Sequence, residues 1–365
     1  MSRIALLAAG GSGGHIFPAQ ALAEELRGRG WTVHLATDGR AERFAGAFGD
    51  GHVHVVRSAT FSKNPLKMIK ALGRIWQGYR SANRLIAELK PDLAVGFGGY
   101  PSFLPIFAAS RAGVPTLIHE ANAVLGRANK ALASRVDAIA MGFPLENAGS
   151  LGPKLHVTGN PVRQSVIDAS RMPYAQPELG GTFNLVVFGG SQGAQFFSQV
   201  LPEMVGGMAF ENGARLRVVQ QARPEDESAL RAWYADNEIE AEVAPFFSDM
   251  ADRLAQAHLV ISRAGASTVT ELAVVGRPAI LVPYPHALDH DQATNAKAMA
   301  QAGGVIVMDQ TEASPQALRE FVEETMSAPE RLAIMAQAAL STANPDAARL
   351  LADRCEAIAS RDPKS

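Results

Sequence analysis

The sequence predicts an α/β protein of two doubly wound domains whose parallel sheets face a shared cleft. Three observations carry this. Short apolar, β-branched runs alternate with longer amphipathic patterns along the chain; a glycine-rich strand-to-helix turn stands near the start; and a turn of the same kind returns half a chain later. Strands that read as near-continuous apolar runs belong to parallel sheets covered by helices on both faces.

The first domain is read from residue 1 to 160. "RIALLAAGG" is a strand running into a glycine loop, "PAQALAEELRGRG" a helix, and "TVHLATD" the next strand. "DLAVGFGG", "PTLIHE", "AIAMGF" and "KLHVTGN" supply further strands. The join falls near "GNPVR", Gly159 to Arg163, and the Pro/Gly-rich "RMPYAQPELGG" leads into the second domain, 161 to 345. There "NLVVFGGSQGAQFFSQVL" repeats the opening pattern, followed by strands at "RLRVVQQ", "EAEVAPF", "LVISRAG", "PAILVPY" and "GVIVM". A last helix, from about 346 to 365, can pack on either domain. Doubly wound sheets bind ligands beyond the carboxyl ends of their strands. Function is therefore sought in the loops that follow strands.

Bulk properties narrow the class. The chain has 365 residues, 47% of them hydrophobic, enough for two ordinary cores. Its 34 basic and 36 acidic residues give a formal net charge of −2, which argues against a dedicated nucleic-acid binder. Cys355 is the single cysteine, so no intramolecular disulfide or thiolate zinc site can form. The apolar start is too short for a signal peptide, and no apolar run reaches the length that spans a bilayer. A cytoplasmic protein is expected, with contact to a membrane left open.

The first loop reads Gly10, Gly11, Ser12, Gly13, Gly14, His15. It lacks the GK[ST] ending of a nucleoside triphosphatase loop and does not complete G-x-G-x-x-G. Bare backbone at a helix N-terminus favours an anion or a polar group. His15 stands at the positive end of that helix, where the protonated imidazole is disfavoured, and a neutral imidazole suits a general base. The alternative is a capping or packing histidine. The second loop, Gly189, Gly190, Ser191, Gln192, Gly193, offers amides and a hydroxyl to a diphosphate, or simply repeats the fold.

In "SRAGASTVTELAVVGRPAILVPYP" the spacing of Thr268 and Glu271 is that of a capping box, and that reading is preferred on spacing alone. The functional alternative gives Glu271 to two ribose hydroxyls. In "HALDHDQATNA" the i,i+4 pair His286 and His290 is a weak metal candidate, since Pro283 and Pro285 put a loop there; Asp289 and Gln292 can bond sugar hydroxyls instead. "GFGGYPSFLP" and "HEANAVLGRANK" follow first-domain strands and bring Tyr100, Ser102, His119, Glu120 and Asn122 to the same edge as the first loop.

From Gly51 to Ala87 there is no acidic residue, while Arg57, Lys63, Lys67, Lys70, Arg74, Arg80 and Arg84 interleave with Leu66, Met68, Ile69, Leu72, Ile75, Trp76 and Tyr79. A basic helix with an apolar, aromatic face suits an anionic membrane surface. Packing of that face on the sheet is the equal alternative.

Taken together, "GGSGGHIFPA", "GGYPS", "HEANAVLG", "GNPVR", "GGSQGA", "RAGASTVTE" and "DHDQATNA" span nearly the whole chain. The set resembles the bacterial family 28 glycosyltransferases that build peptidoglycan. The resemblance implies a GT-B fold of two Rossmann-like domains and inverting transfer of N-acetylglucosamine. The implied donor is UDP-N-acetylglucosamine. The implied acceptor is the 4-hydroxyl of the muramyl sugar of lipid I, and lipid II is the product. It also implies a peripheral place on the cytoplasmic face of the inner membrane, beside other cell-wall or division proteins. No cofactor, obligatory metal or nucleic-acid partner is implied.

By the same resemblance Ser191 and Gln192 meet the diphosphate. Ala266, Ser267, Thr268, Val269, Thr270 and Glu271 surround the nucleotide, Phe247 lies by uracil, Gln292 by the sugar, and Arg163 is a donor contact. Ser12, Gly13, Gly14 and Asn122 face the donor sugar from the first domain, with Tyr100 and Ser102 on the acceptor side. His15 is the expected base, with Glu120 as second choice or as its orienting partner. Lys67, Lys70, Arg74, Ile75 and Trp76 are expected to dock on the membrane. Three positions depart from the pattern: Ala121 replaces a common glutamine, Ser12 a common threonine, and Asp291 a histidine or glutamine. Alternatives are transfer to another lipid such as a diacylglycerol, a UDP-N-acetylglucosamine 2-epimerase, and a non-enzymatic nucleotide-sugar sensor.

Overall fold

The computed structural model describes residues 2–10, 13–39, 48–49, 52–56, 65–145, 149–189, 195–209, 214–287 and 291–360, the side chains of 65–72 excepted. These divide into two compact units, Met1–Arg163 with Pro345–Ser365, and Gln164–Asn344.

The first unit begins with β1 (Ile4–Ala8), α1 (Gly13–Gly28), β2 (Thr32–Thr37), β3 (Val53–Val55) and α2 (Pro65–Leu89). It continues through β4 (Leu93–Gly96), α3 (Tyr100–Arg111), β5 (Thr116–Glu120), α4 (Arg127–Leu132), β6 (Ala138–Met141) and β7 (Leu155–Val157). The strands form one parallel sheet in the order β3-β2-β1-β4-β5-β6-β7. Alternation along β1 shows why its apolar run is unbroken. Ala5 and Leu7 join a buried cluster with Leu22 and Leu26 of α1, whereas Leu6 and Ala8 join one with Ile106 of α3 and Leu85 of α2.

The second unit holds α5 (Gln164–Ala169), β8 (Thr182–Phe188), α6 (Gln195–Gly206), β9 (Arg215–Gln221), α7 (Pro224–Asp236) and β10 (Glu240–Ala244). After these come α8 (Met250–Gln256), β11 (Leu259–Ser262), α9 (Ala266–Val275), β12 (Ala279–Leu281), α10 (Asp291–Gln301), β13 (Val305–Val307), α11 (Pro315–Ser327) and α12 (Pro329–Leu340). Its parallel sheet runs β10-β9-β8-β11-β12-β13. Strand order therefore reverses between β1 and β4 in one unit, and between β8 and β11 in the other. Those two carboxyl-edge positions are where this topology receives ligands.

The last helix, α13 (Ala347–Ala359), packs on α1 of the first unit. Leu351, Cys355 and Ile358 are buried there. At its rim Glu356 accepts from Arg29, Arg3 and Trp31 Nε1, the last at 3.1 Å. No helix among the described residues is long and apolar enough to cross a membrane.

Candidate active site

His15 sits in the first turn of α1, half-buried, at the reversal point of the first sheet. Glycines from two loops surround its ring. A β-carbon built on Gly98 would lie 3.2 Å from His15 Cδ2 and Nε2; one on Gly99 would lie 3.6 Å from Cε1, and one on Gly10 3.7 Å from Nδ1. Gly98 and Gly99 have φ of +81° and +70°, a region that side-chain-bearing residues rarely adopt. Gly98 and Gly99, just after β4, together with Gly10 therefore cradle the imidazole, whereas the sequence reading singled out the polar residues beside them for the acceptor side.

Those neighbours are placed differently. Ser102 is fully buried, and its Oγ donates to Gly99 O at 2.9 Å, fastening the turn that holds the histidine. Tyr100, at the start of α3, is 40% exposed. Gly13 follows the same logic as Gly98: a β-carbon there would come 2.9 Å from Phe17 Cε2. The Phe17 ring in turn carries the Arg163 guanidinium, 4.1 Å from its centroid. Gly14 is exposed at the helix start, while Ser12 lies outside the described residues.

Glu120 is held by hydrogen bonds on both carboxylate oxygens. It is only 4% exposed at the end of β5. Oε1 accepts from Asn122 N and Asn122 Nδ2, each at 3.1 Å; Oε2 accepts from Gly126 N at 2.8 Å and Asn129 Nδ2 at 2.9 Å. The carboxylate thus ties the turn 122–126 to α4, an arrangement that suits the orienting role the sequence reading gave Glu120 as its alternative to that of base. Asn122, expected to face the donor sugar, spends its backbone N–H and one amide N–H on this tie. Its neighbour His119 is buried, and its Nε2–H donates to Gly159 O across 3.2 Å; desolvation brings its pKa down to about 4. Ala121, where an amide side chain was missed, offers its carbonyl to Asn160 Nδ2 at 2.9 Å.

In the second unit the capping-box reading fails. α9 starts at Ala266 with Gly265 as N-cap and no side-chain cap bond, so Thr268 lies inside the first turn. Val269, Thr268, Ala266 and Glu271 are buried. Thr270 Oγ1 donates to Ala266 O at 2.9 Å, and Ser267 Oγ is buried with no partner. Phe247 stacks under Arg253, 4.3 Å from centroid to guanidinium carbon, and Arg253 is itself paired with Asp249 and Glu242. Gln292 Oε1 accepts from Tyr284 N at 2.9 Å. That bond closes one wall of a cavity of about 200 Å³ lined by Tyr284, Gln292, Asp309 and Gln310. Ser191, Gln192, Asp289 and His290 lie outside the described residues.

The basic helix α2 changes from exposed to packed along its length. Ala82, Leu85 and Ile86 in its second half are buried, and Tyr79 packs 5.8 Å from Phe107 of α3. Earlier in the helix Trp76 is 59% exposed under Arg80, Arg74 is exposed and Ile75 half-buried. The side chains of Lys67 and Lys70 lie outside those described.

Comparison with known proteins gives consistent matches. Residues 5–141 match the glycosyltransferase family 28 N-terminal domain, and residues 184–351 match the family 28 C-terminal domain. A protein of Chelativorans sp. (strain BNC1) is 59% identical, covering 98% of this chain and 96% of its own. One of Brucella abortus (strain S19) is 57% identical, covering 98% and 94%. Both are named UDP-N-acetylglucosamine–N-acetylmuramyl-(pentapeptide) pyrophosphoryl-undecaprenol N-acetylglucosamine transferase. The crystal structure of Acinetobacter baumannii MurG superposes with a TM-score of 0.75 at 28% identity, covering 98% of this chain and all of that one. The UDP-GlcNAc 2-epimerase of Neisseria meningitidis shares the fold alone, with a TM-score of 0.64 at 12% identity over 96% and 98% of the chains.

Proposed function

Because this chain belongs to glycosyltransferase family 28 in both of its halves, we propose that its two units divide one glycosyl transfer between them, acceptor activation in the first and donor binding in the second. The enzyme is a UDP-N-acetylglucosamine-dependent N-acetylglucosaminyltransferase. It transfers N-acetylglucosamine to lipid I and forms lipid II in peptidoglycan synthesis.

The observation that carries the division is the His15 cradle. Inverting displacement in one step needs a base on the attacking hydroxyl and stabilisation of the departing UDP. His15 takes the proton of the muramyl 4-hydroxyl as oxygen attacks the anomeric carbon and the bond to the UDP β-phosphate breaks. Its glycine surroundings hold the ring in one position, and the reversal point of the sheet is where a ligand is expected. Glu120 supports this from behind by fixing the 122–126 turn, so that Asn122 and the helix start hold one geometry. In the second unit the start of α9, Phe247 and Gln292 bind the nucleotide sugar, with Ser191 and Gln192 at the phosphates; Arg163, the last residue of the first unit's main segment, is a further donor contact.

The acceptor carries a polyprenyl chain, so the enzyme works as a peripheral protein at the cytoplasmic face of the inner membrane. The exposed pair Trp76 and Arg80, with Arg74, supports docking through α2. Purified protein incubated with labelled UDP-N-acetylglucosamine and lipid I, a diacylglycerol, or no acceptor tests the reading. Label should move to lipid I alone. Transfer to the diacylglycerol, or acceptor-free epimerisation at carbon 2 of the donor sugar, would refute it.

A further inference from the structure

The second unit buries two arginines, Arg263 at 7% and Arg277 at 1% exposure, and neither has a carboxylate within ion-pair reach among the described residues. A buried guanidinium is costly unless its surroundings supply negative charge. Arg277 has such surroundings. It donates to the carbonyls of Leu254 and Ala255 at the end of α8, and of Val275 and Gly276 at the end of α9. Helix C-termini carry partial negative charge, so this cation is compensated by the fold itself.

Arg263 is in the opposite situation. It follows β11 and stands two residues before Gly265, the N-cap of α9. Its guanidinium lies 5.2 Å and 5.3 Å from the rings of Phe196 and Phe197 in the first turn of α6. Helix N-termini are positive, so the charge is buried where the backbone already repels it. Its donors are held by neutral groups: Val282 O at 3.1 Å, Pro283 O at 3.2 Å and Gln310 Oε1 at 2.7 Å. Burial pulls its pKa below the ordinary arginine value, opposed only by the nearby Tyr284 phenol. The place is also the point of strand reversal, β8 beside β11, where a doubly wound sheet takes its ligand. A rigid cation at the strand reversal, with no carboxylate paired to it among the described residues, makes a site short of negative charge.

We propose that Arg263 is a fixed positive charge for the nucleoside diphosphate, clamped by Gln310 and two backbone carbonyls and acting through space on the phosphates. The inference rests on the donor reading above and names a residue that this reading did not use. As the glycosidic bond breaks, the UDP oxygen gains negative charge; a preorganised cation in a dry setting stabilises that charge without reorganising. Gln310 then has a specific purpose. It fixes the guanidinium while leaving its charge intact, which a carboxylate at the same position would cancel.

Gln310→Glu separates a charge role from a structural one. It keeps an acceptor oxygen at the clamp and adds a negative charge beside Arg263. Calorimetric titration with UDP and with uridine should show UDP affinity falling about tenfold or more and uridine affinity changing less than about twofold. The melting temperature should hold or rise, and kcat should drop. Arg263→Lys, which retains the charge, should keep most of the preference for UDP over uridine; Arg263→Met should lose it. Should Arg263→Met fail to fold, Gln310→Glu still decides the question. A Gln310→Glu protein with the wild-type UDP-to-uridine ratio overturns this inference alone. Wild-type protein that does not bind UDP overturns the donor reading, and this inference with it.

Discussion

Asn129 Nδ2 donates to Glu120 Oε2 at 2.9 Å, and the same amide group donates to the carbonyl of His119 at 3.1 Å. One buried asparagine from α4 thereby fixes two consecutive residues at the end of β5. With the three N–H donors from Asn122 and Gly126, the Glu120 carboxylate has four partners and acts as a bracket for the turn beside the candidate base.

Glu120→Gln should therefore behave as a structural lesion. A glutamine amide would aim its own N–H groups at donors on one side of the bracket, leaving buried groups unsatisfied. Urea unfolding should show a loss of about 1–3 kcal/mol. The pH–rate profile of the residual activity should keep its shape. A large kcat loss at wild-type stability, with the acidic limb of the profile abolished, would restore Glu120 as the base.

Removal of the imidazole gives the contrasting result. His15→Ala should lower kcat about 10²–10⁴-fold. UDP affinity should move far less, because the nucleotide is assigned to the other unit. A chemical step within a few-fold of wild type in single-turnover experiments would end the base assignment.

Gly98→Ala tests the cradle without touching a polar group. The alanine must adopt φ near +81° and place a methyl 3.2 Å from the His15 ring. A stability cost of about 1–2 kcal/mol is expected from the backbone alone. Activity should fall further than that cost explains, since the ring must shift. An active variant with only the stability change would show that His15 tolerates displacement.

Stability should depend on pH in a stated direction. Burial holds His119 at about 4, against 6.5 for an exposed histidine, and lowers His34 to about 4 as well. The unfolded chain then takes up protons first as pH falls. Stability is complete above about 6.5 and declines toward pH 4, by at most about 1.4 kcal/mol per pH unit for each such histidine. Urea midpoints at pH 5 and pH 7.5 measure this, and equal midpoints would contradict the burial of these rings as neutral species.

Membrane docking is the last test. Arg74→Glu combined with Trp76→Ala should reduce flotation with anionic vesicles and leave transfer to a short-chain, soluble acceptor intact. Unchanged flotation would remove α2 from the docking surface.

The order of elements and the two parallel sheets were legible from residue order alone. These features depend on local pattern: apolar runs that must be covered on both faces, and glycines where a strand turns sharply into a helix. The prominence of His15 was legible for the same reason, since it stands in one of those turns. The capping-box spacing of Thr268 and Glu271 misled, because Gly265 begins α9 one turn earlier than the motif implies. What only tertiary structure decided was which polar groups are already spent. Glu120 reads as an acid until Asn122, Gly126 and Asn129 occupy its oxygens. Gly98 reads as a loop residue until β4 sets it against the ring of a histidine that follows β1, and nothing in the residue order marks Arg263 as buried until α6 and Gln310 close over it. Hydrogen-bond saturation and desolvation belong to neighbours distant in sequence, and no periodicity records them.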